Sequence, residues 1–275
     1  MTHPWMPWSP CGPGCLPPRP DRVAAPRVAL RLGSACCLLL AGIGMVVAVS
    51  VLPWRAGRRL IRAWFRALLR AFGVRLIVHG TPGTGGALVV SNHVSWLDVA
   101  AMQAVCPMRL LAKAEVRSWP LIGPLAGRAG TLYIERNRLA GLPEAVRTIA
   151  TALRAEAVIG AFPEGTTWCG SKSGRYRPAV FQAAVDAGAP VRPIALRFRT
   201  EEGEATTAAA FVGEATLFES VLAVARLRGL VVELSLLPEL DPKAIPDRRD
   251  LARRAEAAVA AETVGVEPRR HALAA

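Results

Sequence analysis

His93 and Asp98 stand five residues apart, a spacing that lets an imidazole and a carboxylate act as one base. The carboxylate fixes the ring tautomer and steadies the imidazolium, while the other ring nitrogen takes a proton from a hydroxyl. On a continuous helix, five residues put two side chains about 140° apart, so the pair meets only if the chain breaks between them. Such a break is predicted. The apolar run 87–90 follows the glycine-rich turn 81–86 and reads as a buried strand. Ser95 and Asp98 then form a Ser-x-x-Asp capping pattern ahead of the apolar stretch 99–105. The plainer alternative is that Asp98 only caps the helix and His93 is a junction residue. The pair by itself does not choose between the two.

Three further blocks follow in order: Tyr133, Ile134, Glu135 and Arg136; then Phe162, Pro163, Glu164, Gly165, Thr166 and Thr167; then Val191, Arg192, Pro193, Ile194 and Ala195. With His93 and Asp98 they resemble the four ordered blocks of the glycerolipid acyltransferases, specifically the 1-acyl-sn-glycerol-3-phosphate acyltransferase family, over residues 73–237. The resemblance implies an α/β domain, a mixed sheet flanked by helices, with the site near the ends of central strands. It assigns Arg136 to the acceptor's phosphate, a role that suits a planar guanidinium donating two charge-assisted bonds. Glu164, Gly165 and Thr166 would contact the glycerol and phosphate of the acceptor. Lys113 stands where similar proteins often carry a lysine, and it fits a site role or a solvated surface equally well. Glu135 replaces a more usual aspartate, and Arg192 occupies a usually apolar position with no role to assign.

The chemistry so implied is direct acyl transfer from a thioester, acyl-CoA or acyl carrier protein, to the hydroxyl of a lysophospholipid. The first expected acceptor is 1-acylglycerol-3-phosphate, giving phosphatidic acid. Relatives that take lyso-ornithine lipid or glycolipid acceptors carry motifs these residues do not separate. Because the thioester is already activated, neither a covalent enzyme intermediate nor a cofactor or metal is required. A lipid hydrolase is the competing enzyme class, but no Gly-x-Ser-x-Gly nucleophile elbow is present. A non-catalytic membrane-binding protein is the other alternative.

Composition points the same way. The chain has 275 residues, 52% of them hydrophobic, and a mean hydropathy of +0.30, which fits one sizeable core plus a membrane-directed leader. A net charge of +13 implies an anionic partner. With 6% aromatic residues and no nucleic-acid motif, membrane phospholipid and acyl-donor phosphates are the better account. The six cysteines have neither zinc-ligand spacing nor a disulfide framework.

The elements that must position the pair fall into four regions. Residues 1–32 form a proline-rich leader expected to have no fixed fold. Residues 33–72 read as a membrane anchor followed by a basic amphipathic helix: 34–52 lack charge over a length that crosses a bilayer. In 55–72, apolar Leu60, Trp64 and Leu68 alternate with Arg58, Arg62 and Arg66, the pattern of an interfacial helix or of one packed on the domain. A cleaved signal peptide competes with the anchor, since Arg27 and Arg31 precede the apolar run. The arginines after that run favour a catalytic domain on the cytoplasmic face.

Residues 73–264 carry the acyltransferase-like domain, with strands expected at 74–79, 87–90, 109–112, 131–134, 157–162, 191–198 and 231–237. Helices are expected at 142–155, from Pro178 to Gly188, 217–230 and 247–264. Residues 118–130 supply either an apolar wall beside the site or a loop and short helix under the core. Lys172, Arg175 and Arg177 lie in a cationic loop suited to phosphates or headgroups. The tail 265–275 is expected to be disordered.

Overall fold

The computed structural model describes residues 7–119, 122–134 and 141–264. Two long helices come first, α1 (Ala25–Val51) and α2 (Trp54–Ala71), then β1 (Arg75–His79), β2 (Ala87–Ser91), α3 (Trp96–Val105) and β3 (Arg109–Lys113). After them come α4 (Ile122–Arg128), β4 (Leu132–Ile134), α5 (Leu142–Arg154), β5 (Val158–Ala161) and α6 (Ala179–Ala187). The chain continues with β6 (Val191–Arg199), α7 (Leu217–Arg226), β7 (Val231–Leu236) and α8 (Arg248–Val264). The strands form one sheet in the order β1-β7-β6-β2-β5-β3-β4. Among the strand pairings of the described residues only β6–β7 is antiparallel, so the sheet is mixed, as expected.

Strand β2 lies mid-sheet with all five residues buried, because it is covered on both faces. Val89 points to one core, shared with α2, α3 and α7, while Leu88 and Val90 point to the other, shared with α5, α6 and α8. That alternation is the period of two that a pleated strand imposes. From β2 the chain leaves through α3 on the first face, and from the adjacent β5 it leaves through α6 on the second. Adjacent strands whose connections diverge in this way open a crevice at their carboxyl ends, and His93 and Glu164 stand there. Helix α3 is held by fully buried Leu97 and Met102, each contributing about 1.5–3 kcal/mol by burial. Trp96 at its start meets Phe72 edge-on, ring centroids 5.0 Å apart.

The leader differs from expectation. Residues 7–24 are mostly irregular yet tied to the domain: Val23 N–H donates to the Arg226 carbonyl (2.9 Å), Arg228 N–H to Asp21 (2.9 Å) and Thr207 Oγ1 to Cys15 (2.7 Å). Taken alone, a proline-rich segment has too little apolar surface to order itself; here the domain supplies the partners. Helix α1 also begins at Ala25, earlier than the apolar run suggests. Pro26 is tolerated in a first helical turn. Arg31 continues the helix because its guanidinium is buried against the end of α7, donating to Ala225 (3.0 Å) and Leu227 (2.6 Å) carbonyls, where a cation is favoured.

Helices α1 and α2 form a hairpin in which Trp64 Nε1 donates to the Leu38 carbonyl (2.8 Å). Gly42 admits the indole, since a Cβ there would lie 3.2 Å from the ring. On α2, Leu68, Leu69 and Phe72 are buried in the core, so its last turns pack on the domain rather than lying open to a membrane. The same apolar face suits either environment, which is why periodicity alone leaves both open. The expected disordered tail, 265–275, lies outside the described residues.

Candidate active site

The break at the head of α3 brings the expected pair together. His93 Nδ1 lies 2.8 Å from Asp98 Oδ2. That oxygen also accepts the N–H groups of Val94 (2.6 Å) and Ser95 (2.8 Å), the second being the return arm of the capping pattern. Asp98 is therefore both cap and orienter, so the two readings left open by the sequence are compatible. The carboxylate is fully buried, whereas the His93 side chain is 21% exposed. With Nδ1 bound to Asp98, Nε2 is left for a ligand, and the imidazole lines a large cleft.

The His93 loop is held from three sides. Asn92 hydrogen-bonds both ways with the backbone of Leu196, Nδ2 to the carbonyl and N–H to Oδ1, each at 2.9 Å, continuing the β2–β6 ladder with a side chain where β2 ends. His93 N–H donates to Glu164 Oε2 (2.7 Å), and its carbonyl accepts from Trp168 N–H (2.7 Å). Phe162 stacks on the imidazole with ring centroids 4.0 Å apart and planes 14° from parallel. An aromatic face at that distance orients the ring. Phe162 lay inside a recognised block, but nothing in its spacing indicated a contact with His93.

Glu164 takes a different place from the one the resemblance implies. Its side chain is buried, with Oε2 on His93 N–H and Oε1 on Gly174 N–H (2.9 Å), so both oxygens serve the protein's own loops. Burial pushes its carboxyl up to about 8; the charges of Asp98 and Glu256 add to this, and the two N–H bonds oppose it. The folded protein thus holds a proton on Glu164 that the unfolded chain releases near 4.5. Wild type is expected to lose stability relative to Glu164→Gln as pH rises from about 4.5 to 8, with no further divergence above. Parallel thermal melts across that range check this, and a constant difference would mean that Glu164 is ionised in the fold throughout.

Gly165 sits in the turn after β5 with φ +80, a left-handed conformation that favours glycine. A Cβ there would also meet Pro7 at 2.7 Å. Gly165, Thr166, Lys113 and Arg177 line the same cleft as His93, so several of the expected binding residues converge. Arg136, with Glu135 and Arg138, lies outside the described residues. Arg192 has a clear position: Nε pairs with Glu239 (2.6 Å), and Nη1 and Nη2 donate to the carbonyls of Gly85 (3.1 Å) and Thr84. It braces the glycine-rich turn ahead of β2.

The cleft has a volume of about 1660 Å³ and is mainly apolar. His93, Leu110 and Trp119 line it together with Leu39 and Phe65 of the helical hairpin. Trp119 and Ala126 give the 118–130 region a wall of this cleft, as one of its two expected readings had it. The cysteines also differ from expectation. Spacing suggested no metal site, yet the fold brings Cys11, Cys15 and Cys169 together, with their sulfurs all within 4.8 Å of one another.

A His93–Asp98 pair at the divergence point of an α/β sheet, beside a large apolar cleft, is the arrangement the sequence led us to expect of an enzyme that moves acyl groups. The comparisons with known proteins agree. Residues 75–197 match the family model described as Acyltransferase. The lyso-ornithine lipid O-acyltransferase of Pseudomonas aeruginosa is 33% identical, the match covering 85% of this chain and 92% of that protein. The 1-acyl-sn-glycerol-3-phosphate acyltransferase of Neisseria meningitidis serogroup B is also 33% identical, over 71% of this chain and 77% of its own length. The crystal structure of the 1-acyl-sn-glycerophosphate acyltransferase PlsC from Thermotoga maritima has the same fold, with a TM-score of 0.69 over 86% of this chain and 93% of that one, at 17% identity. The chain belongs to the acyltransferase family that contains these lysolipid O-acyltransferases.

Proposed function

We propose that this enzyme transfers an acyl group from a thioester donor, acyl-CoA or acyl carrier protein, to the free hydroxyl of a lysolipid in phospholipid biosynthesis. The observation that carries the reading is the 2.8 Å contact between His93 Nδ1 and buried Asp98, which commits Nε2 to the cleft. Nε2 takes the hydroxyl proton as the oxygen bonds to the thioester carbonyl. The tetrahedral intermediate collapses, the C–S bond breaks, and the departing sulfur takes the proton back from the imidazolium. Asp98 steadies the cation between these steps. Lys113, Thr166 and Arg177 at the cleft wall, with Arg136, supply donors for an anionic headgroup, and the apolar length of the cleft suits acyl chains. Glu164 acts here by holding the His93 loop.

The first acceptor to test is 1-acylglycerol-3-phosphate. A lyso-ornithine lipid is the second acceptor to test, because relatives named for that acceptor align over 71% to 94% of this chain and the two Neisseria glycerophosphate enzymes over 71% and 75%. Mass spectrometry of products formed by the purified protein from mixed lysolipids and both donor types separates these readings. Acylated lysolipid is the expected product, and free fatty acid without acylated lipid would point to a hydrolase instead.

The hairpin supports attachment to one leaflet. Ala25–Met45 of α1 is long and apolar enough to cross a membrane, and only 17% of it is buried. Both ends of the hairpin return to the domain, however, through Arg31 on α7 and through Phe72 and Val74 in the core. A full crossing by α1 would therefore drag α2 across as well, with Arg55, Arg58, Arg59, Arg62, Arg66 and Arg70. Each arginine costs about 2.5–3.5 kcal/mol at mid-bilayer. A tip that enters the near leaflet, with exposed Leu40 and Ile43 in lipid and arginines at the headgroups, avoids that cost. The protein should float with anionic vesicles even at high salt; flotation abolished by salt would mean that charge alone holds it.

A further inference from the structure

Cys11 and Cys15 come from the leader and Cys169 from the loop after Glu164, so the three-sulfur cluster joins segments remote in sequence. Cys11 and Cys169 are buried and Cys15 is half-buried. A short 3-10 turn, Pro13–Cys15, folds Cys15 back toward Cys11. Cys169 Sγ lies 3.1 Å from Ser171 Oγ, and a polar group beside the sulfur is the kind of outer-shell contact that orients a thiolate ligand. Tetrahedral zinc bonds sulfur at about 2.3 Å, which puts ligand sulfurs about 3.8 Å apart. Sulfurs already within 4.8 Å reach that spacing by side-chain rotation.

We infer that Cys11, Cys15 and Cys169 form a binding site for a thiophilic divalent cation, zinc foremost, with the fourth position open to solvent beside half-buried Cys15. Each thiol gives up its proton to solvent as its sulfur bonds the metal. Such an ion would be structural rather than catalytic, since the site is built on the loop backing His93 and not on the cleft. It would fasten the leader, whose Pro7 lies against Gly165, to the loop that carries the acceptor-side block. The three-residue gap between Cys11 and Cys15 resembles a ligand pair, but the third ligand comes from a distant loop, so spacing alone could not complete the set.

The test uses the full chain in detergent, purified with a non-coordinating reductant, and reads metal rather than activity. Elemental analysis is expected to find about one zinc per chain. Cobalt(II) added to the stripped protein is expected to give a thiolate-to-metal charge-transfer band in the near ultraviolet. Cys11→Ser, Cys15→Ser and Cys169→Ser should each weaken cobalt retention at least about tenfold, while Cys36→Ser, Cys37→Ser and Cys106→Ser leave it unchanged. Wild type lacking both zinc and the cobalt band would overturn the inference. So would a band that persists in all three of the first variants, or a disulfide joining two of these cysteines in the reduced preparation.

Discussion

His93→Ala is expected to lose nearly all acyl transfer while keeping the fold and its membrane attachment. General-base assistance contributes about 10² to 10⁴ in rate, and no other imidazole lines the cleft among the described residues. Truncation should be tolerated structurally because the loop is held by its backbone. His93 N–H stays on Glu164 and its carbonyl on Trp168, while Asp98 Oδ2 keeps the N–H groups of Val94 and Ser95. Single-turnover transfer at saturating donor, compared with a melting curve and vesicle flotation, makes the check. Substantial residual turnover in a folded variant would remove His93 from the mechanism.

Asp98→Asn should produce a loss of similar order, arising differently. Three donors converge on Asp98 Oδ2, and an amide oxygen placed there still accepts them. The amide nitrogen then occupies the position of Oδ1, which is buried without a hydrogen-bond partner among the described residues. An unsatisfied buried donor costs about 1–3 kcal/mol. The negative charge that steadies the imidazolium is also gone, and if the amide flips, the His93 tautomer is reversed. The variant is therefore expected to melt earlier and to lose about 10² or more in kcat with little change in KM for the acceptor. An unchanged kcat with only the stability loss would reduce Asp98 to a helix cap.

The parts of this fold legible in the sequence are those set by local pattern. Alternation and turn residues locate the strands to within a residue or two, and the Ser95 to Asp98 pattern correctly places the start of α3 at Trp96. A break in a helix is a local event, so the meeting of His93 with Asp98 could be argued from a few residues. What escaped depends on contacts between distant segments. Arg31 reads as a flank of the apolar run, and only the carbonyls at the end of α7 explain why a helix carries it inward. Glu164 reads as a residue facing a ligand, because Gly174 N–H and His93 N–H, the groups that occupy it, reach it only once loops close. Arg192 looked out of place until the carbonyls of Thr84 and Gly85 supplied its partners. The leader's order and its cysteine cluster have the same origin, since Cys169 and Gly165, which meet Cys11 and Pro7, lie far along the chain.

The central claim is that His93 Nε2 receives the proton of the lysolipid hydroxyl. It is tested most directly by a crystal structure with the acceptor lysolipid and a non-transferable thioester analogue bound together. The account predicts the acceptor oxygen within about 2.6–3.2 Å of Nε2, with the donor's carbonyl carbon on its far side and the acyl chain along the apolar cleft. An acceptor hydroxyl directed away from His93, with a different side chain or a water at that distance, would contradict it.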